Sequence, residues 1–186
     1  MPDEEFLLLG DALWLEFVNT LAALAQPDRL ADPAAYLRWT KAVRLDPPPD
    51  TAAFDDARRF RDQLFTLARA LDSSRNPPPS AIEAINARLV PLDGREQLVR
   101  VGGAWQLRFA PARPPSALEA IARSAAETLA NPLAIVRLCA NPACGLFVVD
   151  DSPHQDRRWC SRSRCGLGGR VERRRRTRPT PLVADS

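Results

Sequence analysis

The chain has 186 residues, of which 45% are hydrophobic, and a formal net charge of +3. A chain of this size can bury roughly 70% of its unfolded surface, which excludes global disorder and favours one domain, with or without a small appendage. Its apolar runs reach only about half of the ~20 residues that a transmembrane helix needs. The acidic start lacks the cationic region of a signal peptide, so we expect a cytoplasmic protein that binds no membrane.

The charge is distributed unevenly along the chain. Residues 1–138 have a net charge of −2, whereas residues 139–186 have a net charge of +5. Ten arginines and a single acid, Glu172, fall between Arg157 and Arg178, which gives this 22-residue window a net charge of +9. Such an asymmetry suggests a segment that binds a polyanion, and a solvated basic tail is the alternative.

The first half of the chain shows helical patterns of apolar residues. Asp11 is placed to cap a helix over about 12–25. Asp32, which precedes a proline at the first helical position, is placed to cap a short helix that ends near Lys41. A longer helix is predicted over about 51–71, because its apolar residues recur on one side.

Two more helices are predicted from capping boxes, in which a Ser and a Glu three residues later satisfy each other's free backbone N–H groups. The first box is Ser80 with Glu83. The second box is Ser116 with Glu119, and its helix ends at Asn131. Residues 1–138 are therefore mostly helical.

A β-hairpin is predicted between these two helices. Gly102 and Gly103 separate the segments 97–101 and 104–109, and a two-residue glycine turn is typical of a tight hairpin. The second segment alternates apolar with polar residues, as a strand with one apolar face does. The predicted fold class of the N-terminal segment is therefore α+β, mostly α.

The N-terminal segment offers little for catalysis. It contains no His, no nucleophile elbow and no phosphate-loop glycine pattern. Asp55, Asp56 and Asp62 lie on an arginine-rich predicted helix, where pairing with arginines three or four residues away is the simplest role for them. We expect that the protein is not an enzyme.

All four cysteines lie after residue 138, in two pairs with four residues inside each pair. The first pair is Cys139 and Cys144, and the second is Cys160 and Cys165. This pattern predicts a zinc site with four thiolates, which is structural because no ligand position stays open for water. Disulfides and free thiols are the alternatives, and a cytoplasmic location disfavours disulfides.

The residues between the two pairs predict how the zinc unit is built. Residues 146–149 are a strand candidate, and residues 157–159 are predicted to return as its partner strand. His154 is expected to be exposed at the turn between them, and a helix is expected to begin near Cys165. The order of knuckle, hairpin, knuckle and basic helix is similar to that of treble-clef fingers.

The C-terminal segment resembles the CGNR-type zinc finger of bacteria. The resemblance rests on the four cysteines, on Asp150 and Ser152, on the basic run that follows Cys165, and most specifically on one string of residues. This string is Arg157, Arg158, Trp159, Cys160 and Ser161. In this family the finger follows a helical domain called ABATE, which implies a stress-induced bacterial transcription regulator.

The N-terminal segment resembles the ABATE domain, and the likeness extends over almost the whole chain. Asn19 and Thr20 match the pair that ends the first apolar helix of that domain, and Trp39 lies in a match to its next element. The chain departs from the family at the motif that names it, because Leu167 and Gly168 stand where the family has Asn and Arg.

These observations divide the chain into a helical domain (1–138), a zinc finger with a basic helix (139–178) and a tail (179–186). We expect the finger to bind DNA and the helical domain to sense an effector of unknown identity or to form a homodimer. An RNA-binding module and a protein-interaction module with a structural metal are the alternatives, because the same charges serve them. The expected nucleic-acid contacts are Arg157, Arg158, Arg162, Arg164, Arg170, Arg173, Arg174, Arg175 and Arg176.

Overall fold

The structure, a computed structural model, describes residues 6–21, 28–45, 51–89 and 93–167, with the backbone alone for residues 51–53. All four cysteines lie in these ranges. The predicted basic helix lies outside them, as do five of the arginines expected to contact nucleic acid. These five are Arg170, Arg173, Arg174, Arg175 and Arg176.

The described residues form five α-helices, two antiparallel two-stranded sheets and one π-helical turn. In chain order these elements are α1 (Leu13–Val18), α2 (Pro33–Ala42), α3 (Thr51–Asp72), α4 (Pro79–Asn86), β1 (Gly94–Val101), β2 (Ala104–Pro111), α5 (Ala117–Ala130), β3 (Ile135–Leu138), β4 (Phe147–Asp150) and the π-helical turn (Arg162–Leu167). The predicted class is confirmed: the fold is mixed and mostly helical, with a β-hairpin and a C-terminal cluster of four cysteines.

Helix α3 forms the centre of the helical body. Its side chains Phe60, Leu64 and Leu67 are fully buried, and α1, α2, α4 and β3 all contact this helix. Trp39 of α2 lies in the same core, with its ring centroid 5.0 Å from that of Phe17. The residue that matches an ABATE position is therefore a packing residue, and burial of such aromatic side chains is a main stabilising contribution in a core.

Three of the predicted helices form as the sequence indicates. The Asp32 carboxylate caps α2 by accepting a hydrogen bond from the Ala35 N–H at 2.7 Å. At the start of α5 the Ser116 hydroxyl accepts from the Glu119 N–H, and the Glu119 carboxylate accepts from the Ser116 N–H. Helix α3 (Thr51–Asp72) matches its predicted range closely.

Two predicted caps are wrong. Asp11 does not cap α1, because its φ of 61° is left-handed, and the extended residue Ala12 takes the cap position. The helix ends at Val18, and residues 22–25 of the predicted range lie outside the described residues. Ser80 lies inside α4, which begins one residue earlier at a proline, because proline is favoured at the first helical position.

The predicted hairpin is confirmed, with longer strands than expected. Strands β1 and β2 pair in register from Gly94 with Pro111 to Val101 with Ala104. Gly102 and Gly103 have φ angles of 58° and 88°, which suit a two-residue turn with positive φ at both positions.

Strand β4 has a different partner from the predicted one. It pairs with β3, from Ile135 with Asp150 to Leu138 with Phe147, and residues 157–159 form no strand. The pairing with β3 places Val136, Phe147 and Val149 in the core of the helical body, and this burial favours it. The β3–β4 sheet bridges the predicted domain boundary between residues 138 and 139. No helix within the described ranges has the length and apolar character needed to cross a membrane.

Candidate metal centre and the basic surface beside it

The four cysteine sulfurs converge on one point. All four Sγ atoms lie within 4.8 Å of one another, and the Sγ of Cys160 lies 3.5 Å from the Sγ atoms of Cys144 and Cys165. A tetrahedral zinc with Zn–S bonds of about 2.3 Å requires sulfurs roughly 3.8 Å apart. The four thiols are therefore positioned to coordinate a zinc ion, as the spacing predicts.

The first knuckle continues directly from the β3–β4 sheet. The Cys139 N–H donates to the carbonyl of Leu146 at 2.8 Å, and the Cys144 N–H donates to the carbonyl of Asn141 at 2.9 Å, which closes the turn. The side-chain Nδ2 of Asn141 lies 3.5 Å from the Sγ of Cys165. Asn141 thus shapes one pair of ligands and supports a ligand of the other pair, as outer partners of metal sites do.

The second knuckle is the π-helical turn. The N–H groups of Cys165 and Gly166 both donate to the carbonyl of Ser161, at 3.0 and 3.2 Å. A Cβ atom on Gly166 would lie 3.3 Å from Cδ1 of Trp159. The glycine therefore lets the indole ring of Trp159 lie directly against the turn that carries the fourth ligand.

Hydrogen bonds among the thiols, together with burial, give Cys144, Cys160 and Cys165 different pKa values. The hydrogen bond from Cys160 lowers the pKa of the Cys144 thiol to about 5. The same contact raises the pKa of Cys160, and burial raises the pKa of Cys165. Cys144 therefore releases its proton more readily than Cys160 or Cys165. Zinc would deprotonate the thiols it binds, because zinc coordinates thiolates.

Asp150 is the polar centre of the segment between the knuckles. Its carboxylate is 1% exposed and accepts hydrogen bonds from Ser152, from the Arg157 N–H and from the Arg137 guanidinium. Burial by itself would raise the pKa of this carboxyl, but these hydrogen bonds bring it below its ordinary value. The buried charge is therefore paired, and it fixes the path of the chain that leads to Cys160.

Comparison with family models identifies both parts of the chain. The ABATE family model, whose description reads "putative stress-induced transcription regulator", matches residues 11–132. The CGNR zinc finger model matches residues 136–178. The chain belongs to the ABATE family and carries a CGNR zinc finger. The comparison with curated proteins gives no significant match.

The side chain of Arg157 is hydrogen-bonded within the CGNR finger. Its guanidinium donates to the carbonyls of Val149, Trp159 and Cys160, and it pairs with the carboxylate of Asp11 at 2.5 Å. These contacts engage its donors within the protein. The sequence places Arg157 in the basic window without indicating this role, because three of its partners are backbone carbonyls.

The other described arginines of the window are exposed on the finger. Arg158 lies over the ring of Trp159, with 5.6 Å between its Cζ and the ring centroid, and Arg162 and Arg164 lie on the π-helical turn. A cleft of about 490 Å³ opens beside Cys160. Three arginines and one acid line it, so the lining carries a net positive charge. The charged residues are Arg157, Arg158, Arg162 and Asp156, and Ser152, Trp159, Cys160 and Ser161 complete the lining. The surface beside the metal centre is thus concave and positively charged.

In the Asn-Thr pair of the ABATE domain, Asn19 contacts the finger and Thr20 contacts the helical body. Asn19 donates from Nδ2 to the carbonyl of Phe147 at 2.9 Å and accepts from the Phe147 N–H at 2.8 Å. Thr20 accepts a hydrogen bond from the buried guanidinium of Arg61, which also forms a two-pronged ion pair with Asp28. The resemblance to the ABATE domain indicates only that Asn19 and Thr20 match a family motif. The structure shows which groups their side chains bind.

A segment before α1 also connects the two parts. Leu7 and Leu9 pack against the cluster that contains the cysteines. Glu16 of α1 accepts hydrogen bonds from the N–H groups of Leu9 and Gly10, and burial raises the pKa of its carboxyl to about 7. The helical domain therefore contributes part of the apolar cover of the metal centre.

Proposed function

We propose that this protein is a zinc-dependent transcription regulator of the cytoplasm, in which the CGNR finger binds DNA. The ABATE domain either senses an effector or forms a dimer. The observation that carries this proposal is the placement of exposed arginines directly beside the four-cysteine site. Arg158, Arg162 and Arg164 lie in the first part of the 22-residue window 157–178, which has a net charge of +9.

The chemistry of this surface suits a phosphate backbone. Guanidinium groups match phosphate oxygens in pairs of hydrogen bonds. The four-cysteine site and the Asp150 hydrogen bonds fix the backbone that carries these groups, so little backbone conformational entropy is lost on contact, and the remaining cost is that of ordering the arginine side chains. Phosphate contacts supply affinity through the release of counterions, whereas base contacts supply specificity.

The packing of Trp159 favours DNA over single-stranded RNA. Recognition of unpaired bases relies on aromatic side chains on which the bases stack. Trp159 is the single aromatic residue between Arg157 and Arg178. Its ring lies against Gly166 and under Arg158, so little of it is free for a base.

The direct test is a salt titration of duplex binding with the full, zinc-loaded chain. With about six to ten phosphate contacts, the affinity should fall by roughly 10³–10⁵ between 50 and 200 mM salt. A structured RNA and an acidic polypeptide serve as competitors. Failure to bind any duplex at 50 mM salt would contradict the proposal, and preferential binding of one competitor would select an alternative.

Two neighbouring arginines provide a matched comparison. Arg158→Ala should weaken duplex binding and lower the slope of log K against log salt by about 1, and loss of its contact with the Trp159 ring should cost no more than about 1 kcal/mol of stability. Arg157→Ala should instead destabilise the finger by about 2–3 kcal/mol, because it leaves buried acceptors without a donor. The exposed Arg123 of α5 lies outside the basic window, and Arg123→Ala is the control for loss of one positive charge.

A further inference from the structure

The β1–β2 hairpin presents an apolar face to solvent. Residues paired across antiparallel strands share a face, and the pairs Leu98 with Leu107, Glu96 with Phe109 and Arg100 with Trp105 therefore lie on one side. Its four large apolar side chains are each more than half exposed. The exposed fractions are 65% for Leu98, 67% for Trp105, 61% for Leu107 and 52% for Phe109.

The two faces of the hairpin differ in character. The opposite face carries four polar residues and only two valines, of which Val101 is 40% exposed. The polar residues are Arg95, Gln97, Gln106 and Arg108, and Arg108 donates hydrogen bonds to Gln106. On the apolar face a Cβ on Gly94 would lie 2.5 Å from Cζ of Phe109, so the glycine leaves room for that ring to lie across the neighbouring strand. An antiparallel pair with one apolar and one polar face normally buries the apolar face, and a two-stranded hairpin alone is only marginally stable.

We propose that this apolar face binds the same face of a second copy of the chain. The side-chain pattern is complementary to itself about a two-fold axis that crosses the strands at Leu98 and Leu107. On β1, Glu96 of each copy then meets Arg100 of the second copy. On β2, Trp105 of each copy meets Phe109 of the second copy, so every pair occurs twice, as in any isologous interface.

The available area is enough for a dimer of modest affinity. Aromatic side chains bury about 150–250 Å² each when fully covered. At their exposed fractions Trp105 and Phe109, together with the two leucines, offer roughly 500 Å² per copy. Two copies, with the charged groups at both ends, then approach the ~1,200 Å² at the lower end of specific interfaces. We expect dissociation in the micromolar range.

This interface deepens the dimerising role proposed above for the ABATE domain and rests on that part of the proposal. A dimer formed through this interface would carry two basic fingers. Two linked binding modules engage one ligand with an effective concentration that raises overall avidity. Dimeric DNA-binding proteins read paired half-sites for the same reason.

The first experiment is sedimentation of the full, zinc-loaded chain without DNA, from about 1 to 200 μM. The wild type should pass from monomer to dimer in this range, and Leu107→Asp should stay monomeric because it buries a charge in the interface. Gln106→Asp on the opposite face is the matched control and should dimerise normally. Circular dichroism should show equal folding of all three proteins, since both positions are exposed.

A charge swap tests the arrangement itself. Glu96→Arg and Arg100→Glu should each weaken the dimer by about tenfold, because like charges then face each other across the interface. The double variant E96R/R100E should return the dissociation constant to within about threefold of wild type. Within one strand these residues are four apart, so rescue by the double variant requires contact between copies.

Three results would overturn the inference. The wild type could stay monomeric at 200 μM, the dimer could survive Leu107→Asp, or the double charge swap could fail to rescue. Sedimentation is measured without nucleic acid, so it is independent of the duplex assay. A wild type that dimerises as described but binds no duplex removes the DNA proposal alone.

Discussion

In the ABATE domain the largest fully buried side chains include Trp14, Trp39 and Tyr36, whereas the buried cluster of the finger consists of three cysteines with Leu146 and Val148. Burial of these large apolar side chains stabilises the first region. The second has too little apolar surface for that, and small domains of this kind depend on a metal or on a neighbour. Here the finger has both, because its cysteines converge on one point and its strand β4 packs on the helical body.

Strand β4 shows how the two regions are joined. Phe147 and Val149 point into the core of the helical body, and Val148 points into the cysteine cluster, because successive side chains of a strand alternate between faces. Loss of metal should therefore loosen one face of β4 and leave the other packed. The predictions below measure how independent the two regions are.

Removal of one zinc ligand should have the largest effect. Cys160→Ser should abolish stoichiometric zinc binding, whose apparent free energy in finger peptides is about 10–16 kcal/mol. Hydrogen exchange should then show lost protection over 139–146 and 151–167, while α3 remains protected. Ser163→Ala in the same turn is the control. If α3 lost protection equally, the two regions would be one cooperative unit and the boundary at 138/139 would be wrong.

Loss of the Asn19 side chain should weaken the contact between the ABATE domain and the finger and leave zinc binding unchanged. Asn19→Ala leaves the buried N–H and carbonyl of Phe147 without partners, which should cost about 2–4 kcal/mol of unfolding free energy. Urea denaturation measures this loss, and metal analysis should show one zinc per chain as in wild type. Asn86→Ala, at the exposed end of α4, should change little. A similar loss of unfolding free energy in Asn19→Ala and Asn86→Ala would contradict the prediction that the Asn19 contact with Phe147 stabilises the protein.

Glu16 should make the contact between the regions sensitive to pH. Burial raises the pKa of its carboxyl from 4.5 to about 7, so between these values the folded state binds more protons than the unfolded state. Stability should therefore be greatest below pH 4.5, as far as Glu16 contributes, and should fall as pH rises toward and through 7. After solvent screening we expect about 1–2 kcal/mol.

The measurement is the unfolding free energy of the zinc-loaded protein between pH 6 and 8. Zinc stays bound over this range more readily than in acid, where protons compete for the thiolates. Glu16→Gln cannot ionise and should flatten the dependence on pH. An equally steep dependence in this variant would assign the effect to another group.

The smallest predicted effect belongs to the helical body alone. Ser116→Ala removes the hydroxyl that caps α5, which should cost about 1 kcal/mol. Thermal unfolding followed by circular dichroism should show a decrease of a few degrees in the melting temperature. Zinc affinity should not change, and a weaker affinity would show that α5 supports the finger.

Local signals in the sequence determine a large part of this protein. The cysteine spacing predicts the four-thiolate site, Asp32 and Ser116 predict the caps of α2 and α5, and the paired glycines predict the hairpin. The uneven charge predicts where a polyanion would bind. Each of these signals acts within a few residues, so the amino-acid order is enough to read it.

Tertiary structure alone decides which distant surfaces meet. Asn19 and Phe147 are 128 residues apart, and no spacing rule connects them. Strand β4 pairs with β3 because that pairing buries its apolar side chains on the helical body. Arg157 turns inward because three carbonyls lie within its reach, and four large apolar side chains on one face of the hairpin stay exposed. These outcomes depend on the competition among all buried surfaces, which a local pattern does not contain.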